Sequence, residues 1–452
     1  MRARFSGGVH PDACKAATGR LPIVELPPPE IAVIPLLQHL GPASRPLVKA
    51  GDLVRLGQRI GEAAGFVAAH VHASVAGVVR EVGPRPHPSG TAVEAVVIES
   101  DGTDAPVPIV PRAWEADTPE TLRELVREAG VVGLGGAAFP THVKLSLPPG
   151  RAVDTLVVNG AECEPYLAAD HRLMVERAAD IVGGARITAR ILGAARILFG
   201  VEDDKPDAVA ALRQAGGDGI EVESLPAAYP QGAEKLLIKV LLGREVPPPP
   251  GLPLHVGVVV QNVGTCVAVH DAVCAGRPLI DRVVTVAGGG VARPGNFRAR
   301  VGTPLRRLLE ACGGLSPATV RLVMGGPMMG LPLADPDVPV IKGTSGLLAL
   351  TRAEVPLRRA ESCIRCGRCV RACPMGLLPA TLALCARHGL DERAEKLGAP
   401  ACIECGSCAY RCPAAIPLVQ HIRLAKLRIA AARNRPRGRE AGTVAAPAAP
   451  VA

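Results

Sequence analysis

Cys363-Ile-Arg-Cys366-Gly-Arg-Cys369-Val-Arg-Ala-Cys373-Pro374 and Cys402-Ile-Glu-Cys405-Gly-Ser-Cys408-Ala-Tyr-Arg-Cys412-Pro413 are two copies of one C-x2-C-x2-C-x3-C-P run. At this spacing the first three thiolates wrap one face of an iron-sulfur cubane, while the fourth crosses to the other cluster. Cys363, Cys366, Cys369 and Cys412 are therefore expected to ligate one [4Fe-4S] cluster, and Cys402, Cys405, Cys408 and Cys373 the second. A disulfide framework requires an oxidising compartment, and zinc needs four ligands without the repeated third cysteine and proline. The 28 residues between the runs carry helical patterns at Leu377 to His388, stopped by Gly389, and at Arg393 to Leu397. A gap of this kind predicts a helical two-cluster ferredoxin. Cys385 falls inside the first of these helices and is expected to be a small buried apolar side chain.

At 452 residues the chain exceeds what one hydrophobic core holds, so several domains are expected. Gly 50 and Pro 44 are high and aromatics reach only 2%. No apolar run approaches the roughly 18 residues of a membrane span, and the start Met1-Arg2-Ala3-Arg4-Phe5 lacks the apolar stretch of a signal peptide. The expected compartment is cytoplasmic and reducing. The net charge of +9 is uneven, with 17 Lys/Arg against 7 Asp/Glu in residues 351–452. Its densest part runs through Arg423, Lys426, Arg428, Arg433, Arg435, Arg437 and Arg439. Without interleaved aromatics this is no nucleic-acid signature; an acidic redox partner, an anionic membrane surface or a plain solvated tail remain as readings.

Residues 1–44 read as an extended arm with Pro27-Pro28-Pro29. From Arg45 to Val82 short strand segments alternate with glycine turns. Val48 to Asp52 and Val71 to Gly77 are similar to the barrel-sandwich hybrid of lipoyl and biotinyl carriers. No lysine stands at its hairpin tip between Arg59 and Arg80 to take a prosthetic group, so the module (45–113 with its linker) reads as structural. His70 and His72 read as a β-face pair rather than a metal pair. Thr118, Pro119 and Gly130 mark a helix over Thr118 to Ala129. An α/β domain over 114–280 follows, with strands at Ala152 to Val158 and His255 to Val260 and a helix at Gln231 to Leu242. Strand, turn, strand and helix over 281–355 predict a β-grasp. The ferredoxin domain spans 356–430, and 431–452 is expected to be disordered.

Clusters move single electrons, so a two-electron donor requires a converter such as a flavin. Gly130-Val-Val-Gly133-Leu-Gly135-Gly136-Ala-Ala-Phe139-Pro-Thr-His-Val-Lys144 offers exposed backbone N–H groups to a phosphate or flat ring, with Lys144 as a point charge. Taken alone it reads equally as a glycine-rich turn, and it departs from the dinucleotide fingerprint because it follows a helix. Asn159-Gly-Ala-Glu162-Cys-Glu164-Pro-Tyr166 then places an amide and two carboxylates at a strand's C-terminal end, where α/β sheets bind ligands.

Together these stretches resemble the flavin- and NADH-binding subunit of respiratory complex I, and Tyr229 to Glu234 and Gln261 to Thr265 extend the likeness. With the barrel-sandwich piece in front and the cysteine runs behind, the module order resembles the C subunit of the Rnf-type ion-translocating ferredoxin:NAD oxidoreductase. The resemblance implies FMN held by Gly133, Gly135, Gly136, Lys144, Asn159, Glu162 and Asn262. It implies that Phe139, Glu164 and Glu234 line the nicotinamide side, with Glu164 and Phe139 nearest the chemistry. Ala138, Ala161, Ala233 and Gln261 depart from the complex I pattern. The implied protein is a peripheral subunit on the cytoplasmic face of the bacterial inner membrane. It would exchange electrons with NAD(H), joined to other subunits of a membrane redox complex and facing an acidic ferredoxin-like partner. A non-catalytic wiring module and a soluble hydrogenase or formate dehydrogenase diaphorase are the competing readings.

Overall fold

The computed structural model describes residues 5–108, 112–355 and 358–434. The chain divides into two compact units, Met1–Arg359 and Ala360–Ala452. The first begins with strands inside the stretch expected to be an arm, β1 (Ile23–Glu25) and β2 (Ile31–Pro35). Ala32 and Ile34 alternate inward on β2, a half-buried strand pattern that the flanking prolines obscure in the sequence. β3 (Arg45–Pro46), β4 (Leu53–Val54), β5 (Arg59–Glu62), β6 (Val71–His72), β7 (Gly77–Pro86) and β8 (Ala92–Ser100) complete the barrel-sandwich module. One antiparallel sheet runs β2-β8-β7-β4 and another β3-β5-β6. Ile34, Ile60, Val71, Val79, Val96 and Ile98 fill the space between them. His70 and His72 are both buried, and His70 Nδ1 accepts from Ala63 N at 3.2 Å.

α1 (Pro119–Glu128) forms where Thr118 Oγ1 accepts the Thr121 N–H at 3.2 Å and Pro119 fixes the first turn. Its Leu122 and Val126, four residues apart, are buried. After α2 (Thr141–Lys144) comes a parallel α/β layer: β9 (Thr155–Gly160), α3 (Ala169–Glu176), α4 (Ala178–Leu192), β10 (Arg196–Glu202), α5 (Pro206–Gly216), β11 (Ile220–Leu225), α6 (Glu234–Leu242), β12 (Val258–Asn262) and α7 (Val263–Cys274). The strand order is β11-β10-β9-β12. The chain winds outward through β10 and β11 and returns to the far side of β9, so the β9/β12 boundary is the topological switch point. α4 and α7 meet closely because Gly184 has no side chain; a Cβ there would lie 1.8 Å from the Cys266 carbonyl oxygen.

β13 (Asp281–Ala287), β14 (Gly295–Arg300), α8 (Leu305–Ala311), β15 (Thr319–Met324), β16 (Leu331–Leu333) and β17 (Gly346–Thr351) form the β-grasp-like domain. Its mixed sheet runs β1-β14-β13-β17-β15-β16, so β1 completes an edge far away in sequence.

In the second unit α9 (Arg368–Ala372), α10 (Pro379–Arg387), α11 (Asp391–Lys396), α12 (Ser407–Tyr410) and α13 (Leu418–Asn434) surround a small core of Leu382, Cys385, Ala386, Ala394, Ile422, Ala425 and Ile429. The helix runs on to Asn434, past the expected boundary at 430. Its cations are paired within the unit. Arg423 and Lys426 both bind Glu404, Arg428 binds Asp391 at 2.8 Å, and Arg433 binds Glu395. The described part of the basic stretch therefore staples its own unit together instead of presenting free charge. Arg435, Arg437, Arg439 and the expected tail lie outside the described residues. Among the described residues, no helix is long and apolar enough to cross a membrane.

Candidate functional site

Asn159 stands one residue before the end of β9 and Asn262 ends β12, and the two are register partners across the switch point. Asn159 Nδ2 donates to the Gly232 carbonyl at 2.9 Å and its Oδ1 accepts from Ala161 N. Asn262 Oδ1 caps α7 by accepting from Gly264 N at 2.9 Å and Thr265 N, while its Nδ2 donates to Asp170 at 2.6 Å. The glycine-rich loop lies over this end: a Cβ at Gly135 would sit 3.1 Å from Asn262 Cβ.

The loop's shoulders are held and its apex is free. Gly133 N donates to the Phe139 carbonyl at 2.8 Å, Thr141 N to the Val131 carbonyl at 3.0 Å, and Leu134 N to Thr265 Oγ1 at 2.9 Å. Two buried cations from the β-grasp-like domain grip carbonyls on the same loop. Lys342 Nζ donates to Gly130 O and to His70 O, each at 2.7 Å, and Arg282 reaches Leu134 O at 3.4 Å. Gly130 has φ +62° and its absent Cβ would meet His70 O at 2.3 Å, so this contact requires glycine. The barrel module touches the loop from outside: Leu40 N donates to Ala138 O at 3.3 Å, the Phe66 carbonyl meets His142 Nε2 at 3.0 Å, and the Phe66 and His142 rings stack edge-on at 5.8 Å. Gly135, Gly136 and Ala137 are exposed, and among the described residues nothing lies within 4 Å of where a Gly136 Cβ would stand.

The carboxylates divide into different environments. Glu162, at φ +48°, accepts from Asp170 N at 2.7 Å and His171 N at 3.1 Å, so it caps α3, and Lys15 from the N-terminal stretch binds its carbonyl. Asp170 is pushed up from the ordinary carboxylate range by burial and then by the Glu162 charge. Glu164 accepts from Met328 N at 3.0 Å and Met329 N at 2.9 Å, and burial pushes it up to about 7. Burial likewise raises Cys163 to about 12, which keeps it a thiol. Lys144 Nζ pairs with Glu234 at 2.7 Å, joining two residues expected on different sides of the site. The backbone of the half-buried Phe139 closes the loop through its carbonyl.

Two buried amides, Gln231 and Gln261, have no partner for Nε2 among the described residues, the latter one residue before Asn262. One such donor in the turn before α6 and one at the carboxyl end of β12, with the exposed glycine apex over Asn262, fit a polar planar ligand with a phosphate, as FMN has. Sequence reading missed Lys15, Arg282, Lys342 and the Met328–Met329 amides, because each reaches the site from far along the chain, whereas Gln231 and Thr265 fall inside stretches that extend the likeness without being given a role there.

In the second unit one pocket is lined by Cys373, Cys402, Cys405 and Cys408 together with Pro374, Leu377, Val419 and Ile422. Burial raises Cys402 to about 11 and Cys408 to about 12. Cys369 and Cys412 pack against one common apolar cluster, whereas Cys363 and Cys366 are exposed. The two runs repeat their backbone. Arg365 (φ +55°) and Gly367 (+70°) match Glu404 (+59°) and Gly406 (+82°), so both loops curl alike around their thiols. A left-handed arginine and glutamate at equivalent places, against the preference of L residues, fit loops shaped for the same bulky ligand.

Residues 126–271 match the family described as Nuo51 FMN-binding domain, 3–103 the RnfC barrel sandwich hybrid domain, 283–332 the SLBB domain and 356–413 the 4Fe-4S dicluster domain. The C subunit of the proton-translocating ferredoxin:NAD(+) oxidoreductase complex of Clostridium ljungdahlii is 46% identical over 399 residues, covering 88% of this chain and 87% of its own. The Na(+)-translocating counterpart of Acetobacterium woodii is 46% identical over 435 residues, covering 95% and 98%. A solved NAD+-reducing [NiFe]-hydrogenase in the air-oxidized state shares the fold at TM-score 0.50 and 20% identity, covering 70% of this chain and 64% of that one. The expected architecture is thus found: barrel-sandwich, flavoprotein-like α/β, β-grasp-like and two-cluster ferredoxin domains in one electron-transfer chain. The chain belongs to the family of C subunits of ion-translocating ferredoxin:NAD(+) oxidoreductase complexes.

Proposed function

We propose that this chain exchanges electrons with NAD(H) at the β9/β12 crevice and relays them through two [4Fe-4S] clusters. It would work as the NAD(H)-side subunit of a membrane complex whose other substrate is ferredoxin, on the cytoplasmic face. The observation that carries the reading is the exposed Gly135–Ala137 apex over Asn159 and Asn262, in the same chain as the four-thiol pocket. FMN, when bound, supplies the conversion between a two-electron hydride and single electrons. Gly135 and Gly136 would present backbone N–H groups to it, Gly133 would shape the shoulder of the loop through its own bond to the Phe139 carbonyl, and Gln231 and Gln261 would offer their amides. Lys144 would offer its ammonium to the phosphate. Asn159, Glu162 and Asn262 act mainly through the caps and turns they hold, which fix the crevice floor. Phe139, Glu164 and Glu234 would line the nucleotide side. Glu164, held by two backbone amides and near neutrality in its titration, can keep or release a proton close to pH 7.

Cys363, Cys366, Cys369 and Cys412 would hold one cluster and Cys402, Cys405, Cys408 and Cys373 the other. The crossing of Cys373 into the second run's pocket is the geometry such cross-ligation requires. The test is anaerobic reconstitution of the full chain with iron, sulfide and FMN. It should hold about eight irons, and NADH should bleach the cluster absorbance only when FMN is present. Full iron loading without bleaching at saturating FMN would leave the wiring-module reading standing.

A further inference from the structure

The turn that follows β9 bends twice at residues that resist bending. Glu162 has φ +48° and Tyr166 φ +68°, a left-handed conformation that L residues adopt at a cost and keep only where their surroundings enforce it. Glu164 stands between the two bends. Both are bonded by one short piece of the N-terminal stretch. Lys15 Nζ donates to the Glu162 carbonyl and lies 3.9 Å from the Glu162 carboxylate. The Ala13 carbonyl accepts from Tyr166 N at 2.8 Å, and Thr18 Oγ1 donates to the Tyr166 carbonyl at 3.4 Å. The piece is itself anchored at each end. Val9 and Tyr229 exchange backbone bonds of 2.8 and 2.9 Å, and Asn296 Nδ2 donates to the Thr18 carbonyl at 2.9 Å. The buried Tyr229 also bonds the Glu164 carboxyl through its side chain.

A strap that only fixed backbone would need no more than bonds of the kind Val9 and Ala13 make. Lys15 adds an ammonium with 13% of its side chain exposed, against a Glu162 side chain at 5%, and such burial is costly unless opposite charge offsets it. The charge it meets belongs to the turn and its neighbours: it favours the ionised forms of Glu164, Asp170 and Glu202. The other cations acting on these acids are engaged elsewhere. Lys205 pairs with Glu202 at 2.9 Å and Asp204 at 2.7 Å, and Arg282 holds the Thr344 and Leu134 carbonyls. We infer that residues 9–18 clasp the Glu162–Tyr166 turn and that Lys15 is a positioning residue of the NAD(H) site, acting on the nucleotide through the place and charge of Glu164. The inference rests on the proposed binding of NAD(H) at the β9/β12 crevice.

The test compares wild type, Lys15→Met, Lys15→Gln and Lys15→Arg as full chains reconstituted with iron, sulfide and FMN. With ferricyanide as acceptor, Lys15→Met should raise the KM for NADH about ten-fold and change kcat little, since binding rather than the reacting atoms is disturbed. The pH below which NADH affinity falls should move up by about one pH unit, because Glu164, Asp170 and Glu202 lose a charge that favours ionisation. Without FMN, amide exchange at Cys163 to Leu167 should be faster than in wild type. Lys15→Arg keeps the charge and should restore both the KM and the pH limb. Lys15→Gln loses the charge but keeps a polar donor, and should show the same pH movement even where the methionine variant does not fold. Unchanged KM, pH limb and exchange in the neutral variants would overturn the inference. So would equal losses in the methionine and arginine variants with the pH limb unmoved, which would reduce Lys15 to packing. If FMN-loaded wild type itself binds no NADH, the reading of the crevice fails instead, a result seen before any variant is compared.

Discussion

In the cysteine unit a pocket is walled by thiols and apolar side chains that lie within about fifty residues of one another. In the crevice, the groups that matter come from Lys15, Gly130, Asn159, Gln261, Arg282, Met328 and Lys342, and act chiefly through backbone carbonyls and amides. Covalent metal ligation concentrates its requirements in a few side chains. A crevice built from loop shape distributes them over the barrel, α/β and β-grasp-like domains. The pocket should therefore fail through its own residues and the crevice through remote ones.

The largest effect is expected from ligand removal. Cys408→Ser and Cys366→Ser should each lower iron from about eight to about four. Only Cys408→Ser should also lower the thermal midpoint, because Cys408 is buried among Ala383, Leu418 and Val419 while Cys366 is exposed. Equal destabilisation by both would erase the contrast between the two runs.

Lys342→Met tests remote support of the crevice. It leaves the Gly130 and His70 carbonyls short of a donor, at about 1–3 kcal/mol each, and should loosen hydrogen exchange at Val131 to Gly136 with no change in iron content. Burial lowers Lys342 to about 7 from its ordinary 10.5. Between those values the unfolded chain holds more protons than the native one, so this lysine makes stability rise with pH across that window. The groups around it, His39, His70, His72 and His142, are all pushed below 6.5 by burial and do not titrate there. Urea denaturation at pH 7.5 and 9.5 should show the rise in wild type and its loss in the variant.

Gly135→Val, which crowds Asn262, should weaken FMN binding by about ten-fold, or 1.4 kcal/mol, in a fluorescence titration and leave the clusters intact. The smallest effect is expected at Glu164. Its carboxyl, raised by burial from 4.5 to about 7, binds more protons in the native than in the unfolded state across that interval. Its contribution is complete below about 4.5 and lost as pH rises through 7. Glu164→Gln should flatten that part of the thermal midpoint against pH.

The cysteine runs were legible in the sequence because ligand identity and spacing are local, and the glycine loop and Asn159 to Glu164 because motif and strand end adjoin. The helices Pro119–Glu128, Pro379–Arg387 and Asp391–Lys396 fall where caps and periodicity place them. What was not legible is long-range pairing. β1 and β2 were hidden by the prolines around them, since their partners lie on β14 and β8. The expected strand from Ala152 begins at Thr155 and extends to Gly160, because its register is set by β10 and β12. The helix expected from Gln231 starts at Glu234, after a turn in which Ala233 N bonds Pro230 O. The basicity of α13 was visible, but the acids that absorb it, Glu404, Asp391 and Glu395, could be matched to it only in three dimensions.

The connection between β5 and β6 carries Phe66 and no lysine to take a prosthetic group, and it is fastened to His142 through Phe66 while Leu40 of the same module is fastened to Ala138. A carrier works by swinging its tip between stations. Here the same architecture has become a strut, and shuttling by a mobile arm is replaced by groups held at constant separation. Lengthening or loosening the hairpin should therefore disturb the spacing of the loop it braces rather than the reach of anything it carries.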